Sequence, residues 1–156
     1  MVICDISEFM SQIPKREKLL GLDIGSKTIG LAASDFTYKI ASASKTIKRT
    51  KFSKDIVELH REIQAHDAGG LVVGLPLNMD GSEGKTCQSI RQFARNLLKE
   101  FDMPIIFHDE RLTTHSAEQT LLEADVSRQK RSLIIDKVAA ACILQSFLDK
   151  MNHQNG

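Results

Sequence analysis

Residues 19–35, LLGLDIGSKTIGLAASD, decide the fold of this chain. Two short apolar runs, residues 19–24 and 28–34, are separated by a glycine and two polar residues. Apolar runs punctuated by glycine are typical of neighbouring strands joined by a tight turn. We therefore predict that the domain opens with a pair of strands and that Asp23 lies near the end of the first.

The sequence beyond this pair alternates between strand-like and helical patterns. A third strand is predicted within residues 38–47, and buried strands are predicted in the aliphatic runs 70–74 and 104–110. Apolar residues at helical spacing predict four helices. They are expected over residues 52–63, over residues 90–101, from Thr113 or Thr114 to Ala124, and from Ser132 to Lys150. Gly69 and Gly70 are expected to stop the first of these helices.

This order of elements predicts one α/β domain with a mixed five-stranded sheet. Strands 1–3 are expected to be antiparallel and strands 4–5 parallel, with helices on both faces. We assign residues 18–151 to the domain, residues 1–17 to an N-terminal extension and residues 152–156 to a C-terminal tail. Ligands of such sheets gather at the carboxyl ends of the strands, so strand ends are where we expect a site.

The bulk composition is that of one ordinary globular domain. The chain has 156 residues, of which 42% are hydrophobic and 26% charged. No apolar run approaches the length of a membrane span, and we expect no membrane partner. The formal net charge of +1 gives no overall attraction to nucleic acid, so any affinity for phosphate must come from local clusters of lysine and arginine.

The cysteines and the N-terminal residues indicate the cell compartment. Cys4, Cys87 and Cys142 lie far apart and form no CxxC pair, which argues against a disulfide framework or a structural zinc site. Residues 1–17 have no basic segment before an apolar stretch, so they do not form a secretory signal. A cytoplasmic location is expected.

Three acidic residues stand at positions that suggest chemistry. Asp23 and Glu110 each end a predicted strand, although one could cap a turn and the other could be a surface charge. Asp136 lies on the apolar face of the last predicted helix. Because burying an unpaired carboxylate costs several kcal/mol, Asp136 should be paired with a base such as Lys137 or Arg131, or bound to a metal ion.

Convergence of these three carboxylates would create a site made only of hard oxygen ligands. Such a site suits Mg²⁺ or Mn²⁺ rather than zinc. These ions activate water and stabilise the leaving oxygen in phosphodiester hydrolysis, which is the reaction class that we predict. His108 and His115 flank Glu110, and we expect packing or hydrogen bonding from them rather than metal binding.

Basic residues near these acids are candidates for substrate binding. Lys27 and Arg111 are predicted to steady a phosphate, although Arg111 could equally pair with Asp109. Three residues before the last helix, Arg128, Lys130 and Arg131, are predicted to contact the substrate backbone. Another basic cluster is interpreted as a solvated face and comprises Lys45, Lys48, Arg49 and Lys51.

Four blocks in order resemble the YqgF family, the pre-16S rRNA nucleases related to bacterial Holliday-junction resolvases. The blocks are LLGLDIGSKTIGLAASD, VVGLPLNMDGSEG, DERLTTHSAE and IDKVAAACILQSFLD. The resemblance implies an RNase H-like fold, a metal site, and a cytoplasmic role in maturing the 5′ end of 16S ribosomal RNA. The family's acidic residues fall on Asp23, Glu110 and Asp136. A fourth carboxylate, common in related nucleases, has only Asp109 or Asp35 as candidates.

The sequence thus predicts a metal-dependent nuclease acting on precursor ribosomal RNA or on a ribosomal subunit. One alternative is a Holliday-junction DNA resolvase, which would normally need a dimer, so both a monomer and a homodimer remain open. A second is a non-catalytic RNA-binding factor of ribosome assembly. An actin-like ATPase shares the DxG turn but closes two lobes around nucleotide, and this chain is too short for two lobes.

Overall fold

A mixed β-sheet forms the centre of the molecule. The structure is a computed structural model that describes residues 2–3, 5–112 and 128–155. The strands in these ranges are β1 (Val2–Ile3), β2 (Lys18–Ile24), β3 (Thr28–Ser34), β4 (Ala41–Lys48), β5 (Ala68–Leu75) and β6 (Ile105–Asp109). The helices are α1 (Ile6–Ser11), α2 (Phe52–Ala65), α3 (Lys85–Glu100) and α4 (Arg128–Asn155), and a 3₁₀ turn covers Glu110–Leu112.

The sheet contains the five predicted strands and a sixth. Its order is β1-β6-β5-β2-β3-β4, with β2, β3 and β4 antiparallel and β5 and β6 parallel to β2, as predicted. The prediction of five strands was wrong by one, because Val2 and Ile3 pair in parallel with Ile105 and Ile106 at the edge of β6. A strand of two residues is too short to show the alternation from which strands are recognised.

Gly69 and Gly70 do not stop α2, which corrects the prediction. The chain turns earlier, at Asp67, where φ is +50°, and both glycines lie within β5. A Cβ at Gly70 would stand 2.8 Å from side-chain atoms of both Phe9 and Ile13. The small residue therefore lets the N-terminal segment pack directly on the sheet, and Phe9 is fully buried there.

Helices cover both faces of the sheet, as predicted. One apolar core lies between the sheet and the pair α2 and α3, and the other lies beneath α4 and α1. Successive side chains of β2 point alternately into the two cores. Its residues Leu20, Leu22 and Ile24 belong to the first, and Leu19 belongs to the second. Asp23 has the same parity as Leu19, so its side chain lies on the α4 face.

Two further outcomes concern the helices. α4 spans residues 128–155, which is longer at both ends than the predicted 132–150. The helix predicted between Thr113 or Thr114 and Ala124 lies outside the described residues. None of the described helices combines the length and the apolar character needed to span a bilayer.

Candidate active site

Asp23 and Asp136 are brought together by a glycine on the neighbouring strand. Asp23 is the direct cross-strand partner of Gly30 in the antiparallel β2–β3 register. A Cβ at Gly30 would overlap the backbone carbonyl of Asp136, so α4 rests on this glycine. Burial raises the pKa of Asp23 to about 6, and the nearby Asp136 carboxylate contributes in the same direction.

Asp136 is held in place by a hydroxyl group. The Thr28 hydroxyl at the start of β3 donates a hydrogen bond of 2.7 Å to Oδ2 of Asp136. Asp136 forms no salt bridge with a described residue, Lys137 included. The other base considered for that pair, Arg131, has its side chain outside the described residues. Thr28 therefore fixes the orientation of Asp136 without neutralising its charge.

Glu110 reaches the same face of the sheet from the end of β6. A Cβ at Gly74 of β5 would overlap Oε1 of Glu110, so this carboxylate lies directly over the strand next to β2. Burial, together with the nearby charges of Asp23 and Asp109, raises the pKa of Glu110 to about 7. Asp23 therefore lies within electrostatic reach of both Asp136 and Glu110.

Asp23 and Glu110 lack any compensating group in the described part of the chain. Neither side chain makes a hydrogen bond or an ion pair there, although both are half-buried. The interactions among the acids are pairwise: the described residues contain no group of three or more His, Cys, Asp or Glu side chains already arranged to hold a metal ion. Convergence of all three acids on one cation stays a prediction.

The uncompensated carboxylates are nevertheless suited to a divalent cation. Unpaired, half-buried carboxylates are costly unless a cation neutralises them, and their donors are all oxygens, which Mg²⁺ and Mn²⁺ prefer. Gly74 leaves the Glu110 carboxylate the space that a larger side chain would fill. The residues present therefore fit such an ion.

His108 has a packing and hydrogen-bonding role, as expected. It is buried, its Nε2 lies 2.9 Å from the Ser146 hydroxyl, and its ring meets Phe147 edge-on. Burial lowers the pKa of His108 to about 4, with Lys150 contributing, so the ring is neutral near pH 7. The second histidine considered, His115, lies outside the described residues.

Arg111 takes up the position of a scaffold residue beside Glu110. Its guanidinium group forms a two-pronged ion pair with Asp109, with a shortest distance of 2.7 Å, and donates a 3.0 Å hydrogen bond to the Met79 carbonyl. It thereby ties the loop after β5 to the end of β6. Asp109, one candidate for a fourth acid, therefore already has its carboxylate bound to the Arg111 guanidinium group.

The remaining predicted residues lie in different places. Lys27 is exposed in the β2–β3 turn, one residue before Thr28. Asp35, the other candidate for a fourth acid, follows β3 at the opposite end of that strand and accepts hydrogen bonds from the backbone of Lys39 and Ile40. The side chains of Arg128, Lys130 and Arg131 lie outside the described residues.

Sequence reasoning did not identify Thr28, Gly30 or Gly74 as parts of the site. A glycine within a strand often marks the close approach of another part of the chain, so the sequence did carry a signal at Gly30 and at Gly74. Thr28 carried no comparable signal, because threonine is common in strands.

Comparison with known proteins places the chain among nucleases and resolvases. A family model described as "RuvX: Holliday junction resolvase" matches residues 17–150. A protein of Roseobacter denitrificans named "Putative pre-16S rRNA nuclease" is 50% identical, over 97% of this chain and 94% of its own length. One of the same name from Paramagnetospirillum magneticum is 51% identical, over 96% of both chains.

A solved structure supports the fold alone. Thermus thermophilus RuvC in complex with a Holliday junction substrate aligns with a TM-score of 0.54, covering 87% of this chain and 96% of its own. The two sequences are 14% identical. The predicted RNase H-like fold is confirmed by this likeness together with the mixed sheet.

Proposed function

Because the chain belongs to the RuvX family, we propose that it is a metal-dependent nuclease that hydrolyses a phosphodiester bond near the 5′ end of precursor 16S ribosomal RNA. Family membership confirms the resemblance of the four sequence blocks. Relatives about half identical over nearly their whole length, and named for this RNA, support the choice of substrate. The observation that carries the proposal is the half-buried Asp23, which has no hydrogen-bond or ion-pair partner among the described residues and interacts electrostatically with both Asp136 and Glu110.

Asp23, Glu110 and Asp136 are the residues that would hold Mg²⁺ or Mn²⁺. When bound, such an ion supplies activated water and neutralises charge on the phosphate and on the leaving oxygen. The carboxylates supply the negative charge that retains it. The Thr28 hydroxyl would orient the Asp136 carboxylate as a ligand, in the way that outer hydrogen-bond partners orient metal ligands.

The basic side chains would hold the RNA backbone. Lys27 projects from the turn that follows Asp23, where its ammonium group is available to a phosphate near the cleaved bond. Arg128, Lys130 and Arg131, in the first turn of α4, would contact phosphates further along the strand. Arg111 acts mainly by fixing the loop after β5, because its guanidinium group is bound to Asp109 and Met79.

The proposed substrate also defines the setting. The protein would act in the cytoplasm, on precursor RNA or on a ribosomal subunit that carries it, as a monomer or a homodimer. Residues 18–151 form the proposed nuclease domain, and residues 1–17 and 152–156 are its extensions.

The test is cleavage of a 16S rRNA precursor in the presence of Mn²⁺. Wild-type protein should cut the precursor, and the Asp136→Asn variant should lose cleavage while keeping its fold. Asp102→Asn serves as a matched control, because Asp102 is exposed in the segment before β6, away from the carboxyl ends of the strands. Undiminished cleavage by Asp136→Asn would remove Asp136 from the mechanism. Tight RNA binding without any cleavage by the wild type would favour an assembly factor.

A second candidate is resolution of branched DNA, which the family description favours. The same carboxylates would perform the same hydrolysis on a junction. A four-way DNA junction, incubated under the same conditions as the RNA precursor, distinguishes the two substrates. Symmetric cuts on a junction normally need two active sites, so a strictly monomeric mass in solution would count against this function.

A further inference from the structure

An open groove of about 480 Å³ lies at the outer edge of the sheet, between β4 and α4. Lys45 and Lys48 of β4 and Lys137 of α4 line it, and we call it the lysine groove. These lysines belong to segments about ninety positions apart in the chain. The sequence therefore gives no sign that they share one surface, and only the packing of α4 beside β4 brings them together.

The lysine groove carries excess positive charge. Its lining, as far as the described residues form it, contains one carboxylate, Glu58 of α2, which lies 3.9 Å from the ammonium group of Lys45. Both partners are about half exposed, so water and salt weaken this pair. The ammonium groups of Lys48 and Lys137 make no hydrogen bond or ion pair with any residue in the described ranges. Among the described residues, about two positive charges of the groove therefore remain uncompensated.

The lysine groove begins beside the candidate active site. Lys137 directly follows Asp136 in α4, and Lys48 is the cross-strand partner of Thr28, whose hydroxyl group binds Asp136. From there the groove continues around the free edge of β4 to Lys45, whose side chain lies on the α2 side beside Glu58. A strand with one phosphate at the carboxylates could place neighbouring phosphates along these lysines.

We propose that the lysine groove binds the sugar-phosphate backbone of the substrate strand next to the cleaved bond. The proposal rests on the proposed nuclease function, which makes the ligand a polyanion. Lysines read charge rather than sequence, so the groove would position the strand without selecting bases. Ile134 adds an apolar surface to the lining, against which a ribose can lie.

A different role for lysines on β4 is protection of a sheet edge. β4 is the last strand in the sheet order, and lysines on edge strands discourage pairing with another chain. Edge protection does not account for Lys137, which lies on a helix. The two roles also differ in outcome: loss of edge protection leads to self-association, whereas loss of backbone binding weakens affinity for nucleic acid.

The experiment measures binding of a short fluorescein-labelled single-stranded RNA, in EDTA to prevent cleavage, over a range of salt concentrations. The test variant combines Lys45→Gln, Lys48→Gln and Lys137→Gln. The control is Lys99→Gln, an exposed lysine in the last turn of α3, far along that helix from the carboxyl ends of the strands. Single-stranded DNA of the same sequence forms a second arm.

The triple variant should bind RNA about tenfold more weakly at moderate salt, and the slope of log K against log salt should fall by about 2, since each lysine–phosphate contact on a single strand contributes roughly 0.7. Its thermal unfolding should be unchanged, because the replaced side chains lie in an open groove. Lys99→Gln should match the wild type. An equal loss on RNA and DNA is the expected result for recognition of the backbone alone.

Two results would overturn the proposal, and they are distinguishable. If the wild type binds RNA but the triple variant binds with the same affinity and salt slope, the groove is not the binding surface, while the nuclease function stands. Self-association of the triple variant with unchanged binding would assign the lysines to edge protection. If the wild type binds neither RNA nor DNA at any salt concentration, both the groove and the nuclease function fail.

Discussion

Gly30 of β3 lies directly beneath the backbone of Asp136, so closely that a Cβ atom at position 30 would overlap the Asp136 carbonyl group. The cross-strand partner of Gly30 is Asp23. The glycine therefore sets the distance between the two acids, because it lets α4 settle onto the sheet at the point where Asp23 emerges.

Replacing Gly30 with alanine should damage both stability and activity. The added methyl group meets backbone, which cannot rotate away, so we expect a loss of about 2–3 kcal/mol in the free energy of unfolding. α4 should move outwards with Asp136, and such a displacement can cost about a hundredfold in cleavage rate. Denaturant unfolding and cleavage assays measure the two effects.

Gly84→Ala is the matched control for this substitution. Apart from its own chain neighbours, no described residue has an atom within 4 Å of a Cβ built at Gly84, the N-cap of α3. We expect its free energy of unfolding to fall by no more than about 1 kcal/mol, which is the cost of replacing glycine by alanine at an N-cap. Equal effects of the two substitutions would show that close approach of α4 is not the reason for glycine at position 30.

Thr28→Val should weaken metal binding without unfolding the protein. Valine has the shape of threonine but lacks the hydroxyl group that donates a 2.7 Å hydrogen bond to Asp136. Loss of such an orienting partner typically costs about 10–100-fold in metal affinity or activity. Titration with Mn²⁺ measures the change, and Thr28→Ser should restore most of the affinity. A serine variant as weak as the valine variant would contradict an orienting role for the hydroxyl.

Asp23→Asn should stabilise the cation-free protein, most strongly at alkaline pH. The pKa of Asp23 is raised from 3.8 to about 6 by burial and by Asp136, so the folded state binds this proton more tightly than the unfolded state. Its contribution to stability is therefore complete below about pH 4 and is lost as the pH rises through about 6. Asparagine cannot ionise and avoids this loss.

The gain is measured by denaturant unfolding in EDTA at two pH values. With allowance for the remaining solvent around the carboxyl group, we expect Asp23→Asn to gain about 1–2 kcal/mol at pH 8 and little at pH 4. Asp102→Asn, at an exposed position, should show no such pH dependence. An Asp23→Asn variant less stable than the wild type at pH 8 would contradict an uncompensated charge at this position.

Arg111 and Asp109 should act as one unit. Arg111→Gln and Asp109→Asn each break the pair that anchors the loop after β5, so the double variant should be little worse than either single one. The expected coupling in the free energy of unfolding is about 0.5–1 kcal/mol, because the pair is partly exposed. If Arg111 acted mainly on phosphate, Asp109→Asn would strengthen RNA binding while Arg111→Gln weakened it.

The predicted strands and helices were largely confirmed, and the exceptions have local causes. The runs around β2, β3, β5 and β6 carry strong patterns, so these strands and their parallel or antiparallel orientation were predicted. β1 was missed because a strand of two residues is too short to show an alternating apolar and polar pattern. Gly69 and Gly70 were misjudged because a glycine that ends a helix and a glycine that admits a neighbouring side chain look the same in sequence.

The candidate site was predicted only in part. Strand ends indicated Asp23 and Glu110, and an apolar helix face indicated Asp136. The bond between Thr28 and Asp136 joins residues 108 positions apart, and the lysine groove joins similarly distant segments. No local pattern reports contacts of that kind.

By itself the sequence determined most elements of this protein, the directions of most strands and the strand ends at which acids stand, because these features depend mainly on residues a few positions apart. Only the tertiary structure decided which of those acids meet and what surrounds them. That outcome depends on how closely α4 packs against β3 and β5, and the contact distance is set by the absence of side chains at Gly30 and Gly74.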